Sequence, residues 1–182
     1  MPIRITGGAL RGRNVPSPDG NRTRPTASRT REALFNILQG VENFRVLDLF
    51  AGSGIMGIEA LSRGASSVVA VELVHSQARL VYQAYKALGL SEKVTLLEKN
   101  ALTLEKESLC AEEGFDLIYA DPPFKDREYP DLRPYWQWLN PGGVAVFEAP
   151  SRDLPVWVKE ADDAGMVQVR RYGESSLVIF RA

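Results

Sequence analysis

Apolar and polar positions follow two rhythms along this chain. Over residues 26–38 the apolar positions Ala33, Leu34, Ile37 and Leu38 recur at helical spacing, with Thr26 or Ser28 able to cap the start and Gly40 able to stop it. Beyond position 45, short continuous apolar runs alternate with helical stretches. Val46-Leu47-Asp48-Leu49-Phe50 precedes a helix predicted over 55–63, and Val68-Val69-Ala70-Val71 precedes one over 76–88. Val94-Thr95-Leu96-Leu97 is followed by a predicted helix over 102–111. Phe115-Asp116-Leu117-Ile118-Tyr119-Ala120 is followed by a helix over 135–139, then by Val144-Ala145-Val146-Phe147. The end reads as a hairpin, with strands over 166–170 and 177–180 about a turn at Gly173-Glu174. Near the start, Ile3, Ile5, Leu10 and Val15 are spaced like short strands. Strands that are apolar throughout and alternate with helices form a parallel sheet covered on both faces. The expected fold is therefore α/β, a mostly parallel seven-stranded sheet with a C-terminal antiparallel hairpin and a small N-terminal extension. There is no internal repeat and no low-complexity segment.

The length of 182 residues suits one compact domain, and 45% hydrophobic with 25% charged residues is ordinary for a globular protein. The single cysteine, Cys110, excludes an intrachain disulfide, and with the single histidine, His75, it excludes a His/Cys zinc cluster. No metal is expected. A reducing, cytoplasmic setting is expected: the chain shows no signal-peptide pattern, and no apolar run approaches the ~18 residues of a membrane span.

Charge changes the picture once it is divided. Residues 1–31 hold seven arginines (Arg4, Arg11, Arg13, Arg22, Arg24, Arg29, Arg31) against one acid, Asp19, giving +6 there and −7 over the remainder. An acidic body with a basic arm predicts a polyanionic partner, and arginine suits bidentate phosphate contacts. Residues 1–39 are accordingly expected to form a basic arm that binds RNA and closes the pocket, and residues 40–182 the catalytic domain. All seven arginines are candidate RNA contacts.

Asp48-Leu49-Phe50-Ala51-Gly52-Ser53-Gly54-Ile55-Met56-Gly57 runs from a strand through a glycine-rich turn into a helix. Glycines permit a tight turn and close approach to a ligand. Glu72 closes the second strand, where a carboxylate can accept both hydroxyls of a ribose. Gly52, Gly54, Gly57 and Glu72 together predict an adenosine-containing cofactor. They fit a dinucleotide as well as S-adenosylmethionine.

Asp121-Pro122-Pro123-Phe124 follows the strand that ends at Ala120, which places it beside the crevice at the carboxyl ends of the strands. An aryl amine is a poor nucleophile because its lone pair is delocalised into the ring. Acceptors on both of its N–H bonds favour a pyramidal nitrogen and stabilise the positive charge that develops on attack. Asp121 offers a carboxylate and Pro122 a carbonyl held in place by successive prolines. Phe124 offers a ring on which an extruded base can stack.

With this loop, Arg4-Ile5-Thr6-Gly7-Gly8, Arg11-Gly12-Arg13, Arg24-Pro25-Thr26 and Arg31-Glu32-Ala33-Leu34-Phe35-Asn36, the chain resembles the RsmD family from Arg4 to about Glu148. Two departures are Ala27-Ser28, where an acid is expected, and the stretch 80–90, which lacks an expected asparagine. The resemblance implies a Rossmann-like class I S-adenosylmethionine-dependent methyltransferase acting on N2 of a guanine in small-subunit (16S) ribosomal RNA. It implies S-adenosylmethionine as cofactor, bound by Asp48, Ala51, Gly52, Gly54, Glu72, Leu73, Asn100, Ala101 and Asp121. Asp48 would order the glycine loop or the methionine amino group, and Asn100 would contact the adenine amino group or cap the turn that follows it. Catalysis falls to Asp121, Pro122 and Phe124. The expected partner is the small ribosomal subunit or its assembly intermediate, with no membrane, the enzyme itself being a monomer. Arg24 and Thr26 are placed to reach cofactor or target base.

Three rival readings remain. An NAD-dependent oxidoreductase explains the glycine loop and Glu72 but leaves Asp121 to Phe124 and the arginine arm without purpose. Methylation of adenine N6, in RNA or DNA, or of another amino group such as a glutamine side chain uses the same loop. A non-catalytic RNA-binding module leaves the cofactor loop unexplained. His75, Cys110, Trp136 and Trp138 read as helix, core or rim positions, and the acids near 105–113 as solvated faces.

Overall fold

A computed structural model of the chain describes residues 3–15, 28–109, 114–123 and 129–182. Two short strands, β1 (Ile3–Arg4) and β2 (Asn14–Val15), pair as an antiparallel ribbon. Helix α1 (Ser28–Leu38) follows, then β3 (Arg45–Asp48), α2 (Ile55–Ser62), β4 (Ser67–Val71), α3 (His75–Ala87), β5 (Val94–Leu97) and β6 (Phe115–Ala120). The chain ends with β7 (Leu139–Pro150), α4 (Val156–Asp163), β8 (Gln168–Tyr172) and β9 (Ser175–Arg181).

The main sheet has seven strands in the order β5-β4-β3-β6-β7-β9-β8. β3 to β7 are parallel, and β9 and β8 are antiparallel. The chain winds outward from β3 to β5, then crosses back to place β6 on the other side of β3. That reversal opens a crevice between the ends of β3 and β6, where ligands of such sheets bind.

Alternation sends successive residues of each strand to opposite faces. Val46, Val68, Ala70, Leu117, Tyr119 and Val146 pack toward α1, α2 and α3, while Leu47, Val69, Ile118 and Phe147 pack toward α4 and the turns before β7. Every residue of α2 is buried, because the N-terminal ribbon lies over it. Ser62 receives that ribbon: its hydroxyl donates to the Gly7 carbonyl at 2.6 Å and accepts from the Leu10 amide at 2.9 Å. Ile3, Ile5 and Val15 join the same core cluster as Leu34, Ile58 and Val68.

Several expected elements differ. In place of a helix over 102–111 there are two 3-10 turns, Ala101–Thr103 and Lys106–Leu109, separated where Leu104 turns extended (ψ 130°). The helix expected over 135–139 is a 3-10 turn, Arg133–Trp138, led by Pro134, and Leu139 already belongs to β7. β7 is three times the expected length. Its Asn140-Pro141-Gly142-Gly143 segment resembles a turn, yet a register shift absorbs it and the Ala182 amide bonds the Gly143 carbonyl at 2.9 Å. The strand expected over 166–170 is β8, two residues later. α4 went unanticipated; its eight residues bury only Trp157, Val158 and Ala161.

Candidate functional site

Four neighbouring strands deliver the predicted residues to one end of the sheet. Asp48 ends β3, Glu72 follows β4, Asn100 follows β5, and Asp121 follows β6. The glycine turn and Glu72 are bonded to each other. Glu72 Oε2 accepts the Gly52 amide and Oε1 accepts the Val74 amide, both at 2.9 Å, while the Ala51 amide donates to the Val71 carbonyl. The carboxylate is thus oriented by backbone groups and keeps lone pairs for a diol.

Gly54 and Gly57 have separate reasons. Gly54 stands at φ 75° as the N-cap of α2, a conformation that costs little only without a Cβ. A Cβ on Gly57 would lie 2.0 Å from the Tyr85 hydroxyl and 2.8 Å from Val68. Its absence lets α3 seat Tyr85 beneath the turn.

Asp48 lies there too, 1% exposed. Neither of its oxygens nor the Tyr85 hydroxyl makes a well-formed hydrogen bond among the described residues. Burial lifts the Asp48 carboxyl to about 7, the Glu72 charge adds to this, and the nearby amides of Phe50 and Gly57 pull the other way. The same burial, with Asp48 beside it, pushes Tyr85 well above its ordinary value.

Leu73 and Leu102 are 65% and 52% exposed on the rims after β4 and β5, two large apolar side chains that a flat ring would cover. Asn100 Oδ1 accepts the Leu102 amide at 3.0 Å, so it caps the turn. The carbonyl of the neighbouring Ala101 accepts from the Tyr135 hydroxyl, tying this rim to the turn before β7. Neither Leu102 nor Tyr135 was singled out in the sequence; both belong to segments expected to be ordinary helices.

Asp121 is half-buried, Pro122 buried and Pro123 exposed; Phe124 lies outside the described residues. Of the arginines, Arg4, Arg11, Arg13 and Arg29 are exposed, while Arg22 and Arg24, with Thr26, fall outside. Arg31 corrects the expectation of a phosphate contact. It is 2% exposed, its Nε donates to Glu59 at 3.3 Å and its Nη2 donates to the Arg4 carbonyl at 2.8 Å. Glu59, itself fully buried on α2, also accepts from the Thr6 amide and from Arg63. An arginine held this way fastens the ribbon and α1 to α2. His75 pairs with Glu98 at 2.5 Å on the surface, and Trp136 stacks on Phe180 at 3.9 Å.

A sheet of this order, with a glycine turn answered by a carboxylate after the next strand and an Asp-Pro-Pro loop across the reversal, defines a class I S-adenosylmethionine-dependent methyltransferase. Comparison with known proteins narrows this. The profile of the family described as Conserved hypothetical protein 95 matches residues 3–181. Ribosomal RNA small subunit methyltransferase D of Haemophilus influenzae is 32% identical over 163 residues, covering 87% of this chain and 83% of that protein. YlbH of Bacillus subtilis is 31% identical over 184 residues, 98% of each chain. The chain belongs to the RsmD family of 16S ribosomal RNA methyltransferases. Its fold is shared by the Thermus thermophilus 16S rRNA N2 G1207 methyltransferase RsmC, solved with AdoMet and guanosine. The two superpose with a TM-score of 0.73 at 24% identity, over 100% of this chain and 49% of that one.

Proposed function

We propose that this enzyme methylates the exocyclic N2 amine of a guanine in 16S ribosomal RNA. The observation that carries the reading is the placement of Asp121 and Pro122 across the sheet reversal from the glycine turn, just past the end of the strand adjoining β3. S-adenosylmethionine supplies an electrophilic methyl on a sulfonium. Glu72 accepts its ribose hydroxyls, Leu73 and Leu102 cover the adenine, and Asn100 and Ala101 form the edge of that slot. Asp48 acts from beneath, shaping the turn that surrounds the methionine end. The Asp121 carboxylate and the Pro122 carbonyl accept the two amine hydrogens, directing the nitrogen lone pair at the methyl. Transfer would join the methyl carbon to N2 as its bond to the sulfonium sulfur breaks, and the resulting ammonium would release its proton to water. Phe124 is assigned to stacking on the target base. The exposed arginines Arg4, Arg11, Arg13 and Arg29, with Arg22 and Arg24, hold the RNA over the pocket. The names of relatives support ribosomal RNA as substrate, and guanosine bound to RsmC supports guanine.

A tritium-transfer assay tests this, comparing naked 16S rRNA with small subunits from a strain lacking the enzyme. Label recovered as N2-methylguanosine is expected. Label at adenine N6, or none with either substrate, overturns the reading.

A further inference from the structure

A second carboxylate stands beside the Asp-Pro-Pro loop. The last residues paired between β6 and β7 are Ala120 and Phe147, so Asp121 leaves β6 beside Glu148, which is still within β7 and pairs with Leu177 of β9. Parallel strands lie about 5 Å apart. Alternation puts position 121 on the same face as Tyr119. The Tyr119 hydroxyl donates to Glu148 Oε2 at 3.0 Å, which brings Glu148 to that face as well. Both are nearly enclosed, Tyr119 at 2% and Glu148 at 5% exposure.

The two oxygens of Glu148 are unequal. Oε2 is held by Tyr119, whereas Oε1 has no hydrogen bond from any described residue and is not among the sealed, unpartnered atoms. Contrast Glu59, both of whose oxygens are occupied by Thr6, Arg31 and Arg63. A nearly buried carboxylate beside the Asp-Pro-Pro loop, with one oxygen held and the other without a donor among the described residues, can meet a donor that arrives with the substrate.

We propose that Glu148 reads the N1–H of the target guanine and so selects guanine. This rests on the reading above, in which Asp121 and Pro122 hold the N2 hydrogens. The next donor along that edge of guanine is N1–H, adjacent to N2. Adenine presents a lone pair at N1 and would set it against the open carboxylate oxygen. An extruded base is read through this same edge. A site built to accept a hydrogen bond rejects the analogue that lacks the donor far more strongly than an apolar pocket rejects a missing methyl. Tyr119 is a positioning residue that fixes which oxygen faces the base.

The test uses rRNA carrying either guanine or 2-aminopurine at the methylated position. 2-Aminopurine keeps the N2 amine and lacks N1–H. The intact enzyme is expected to favour guanine by about 10²-fold or more in kcat/KM. Glu148→Gln should lose about 10²-fold on guanine and bring the ratio within about 10-fold, because its amide can donate to N1 of 2-aminopurine. S-adenosylmethionine affinity should stay the same. Tyr119→Phe, which keeps the carboxylate, should lower the ratio partway. An unchanged ratio in Glu148→Gln, even with a lowered Tm, overturns the assignment of Glu148 alone. Transfer by the intact chain to adenine in natural rRNA, with none to guanine, overturns both this inference and the reading on which it rests.

Discussion

Glu72 and Gly52, twenty positions apart, are joined by a 2.9 Å hydrogen bond from the glycine amide to Oε2. The bond ties the turn after β3 to the end of β4 and so orients the carboxylate proposed to accept the ribose hydroxyls. Pre-organisation of this kind lowers the cost of binding. Glu72→Ala removes the charged acceptor and releases the turn together. Cofactor affinity should fall by about 1.5–3 kcal/mol, roughly 10- to 10²-fold. Calorimetry with S-adenosylmethionine measures it, and an affinity within a factor of two would remove Glu72 from the site.

In the proposed reaction Asp121 acts mainly in the transition state. Asp121→Ala should lower kcat by about 10²–10³ while cofactor affinity stays within a few fold. Asp121→Asn, which keeps one acceptor, should retain part of the activity. Single-turnover kinetics with saturating cofactor separate these outcomes from a binding defect.

Asp48 makes stability depend on pH. Its ordinary value is 3.8 and the folded protein holds its proton up to about 7. Between those values the folded state binds more protons than the unfolded one. Stability therefore falls as pH rises from about 4 to 7 and is level above, with a ceiling of about 4 kcal/mol for this group. Asp48→Asn should abolish that loss, so its Tm advantage grows across the same window. It should weaken cofactor binding, since the turn above was shaped around a carboxylate. A constant Tm difference from pH 4 to 8 would contradict this account.

Arg31 and Glu59 form a buried pair. Glu59→Ala removes the carboxylate that Arg31, within the protein, and Arg63, at its edge, share, and should destabilise by about 3–5 kcal/mol. Replacing Arg31 by Met, which fills similar space, together with Glu59→Gln should recover part of that loss. Urea unfolding of the single and double variants checks the order.

The exposed arginines predict a different signature. Arg11→Ala with Arg13→Ala should weaken RNA binding and flatten its salt dependence by about two phosphate contacts' worth of slope. Melting temperature and S-adenosylmethionine affinity should not move. RNA titrations across a salt series decide this, and a slope equal to that of the intact protein would leave the ribbon with a structural role only.

What the sequence by itself determined is what local pattern can encode. Continuous apolar runs marked β3 to β6 as strands of a covered parallel sheet. The spacing of Gly52, Gly54 and Glu72, and the Asp-Pro-Pro run at the end of β6, marked the crevice, because strand ends and the turns after them are contiguous in the chain. Tertiary structure decided the rest. Arg31 sits in an arginine-rich stretch that reads as surface, and only the burial of Glu59, between Ile58 and Ala60 in an entirely enclosed helix, draws it inside. Local spacing also missed where helical turns tighten: Leu104 and Pro134 interrupt segments whose apolar spacing alone suggested longer helices. The Asn140-to-Gly143 stretch stays within the strand because a register shift against β6 accommodates it and Ala182 supplies its backbone partners. Tyr119 and Glu148 are 29 positions apart and meet only because β6 and β7 are neighbours. Their relationship is a property of strand order, which no local pattern contains.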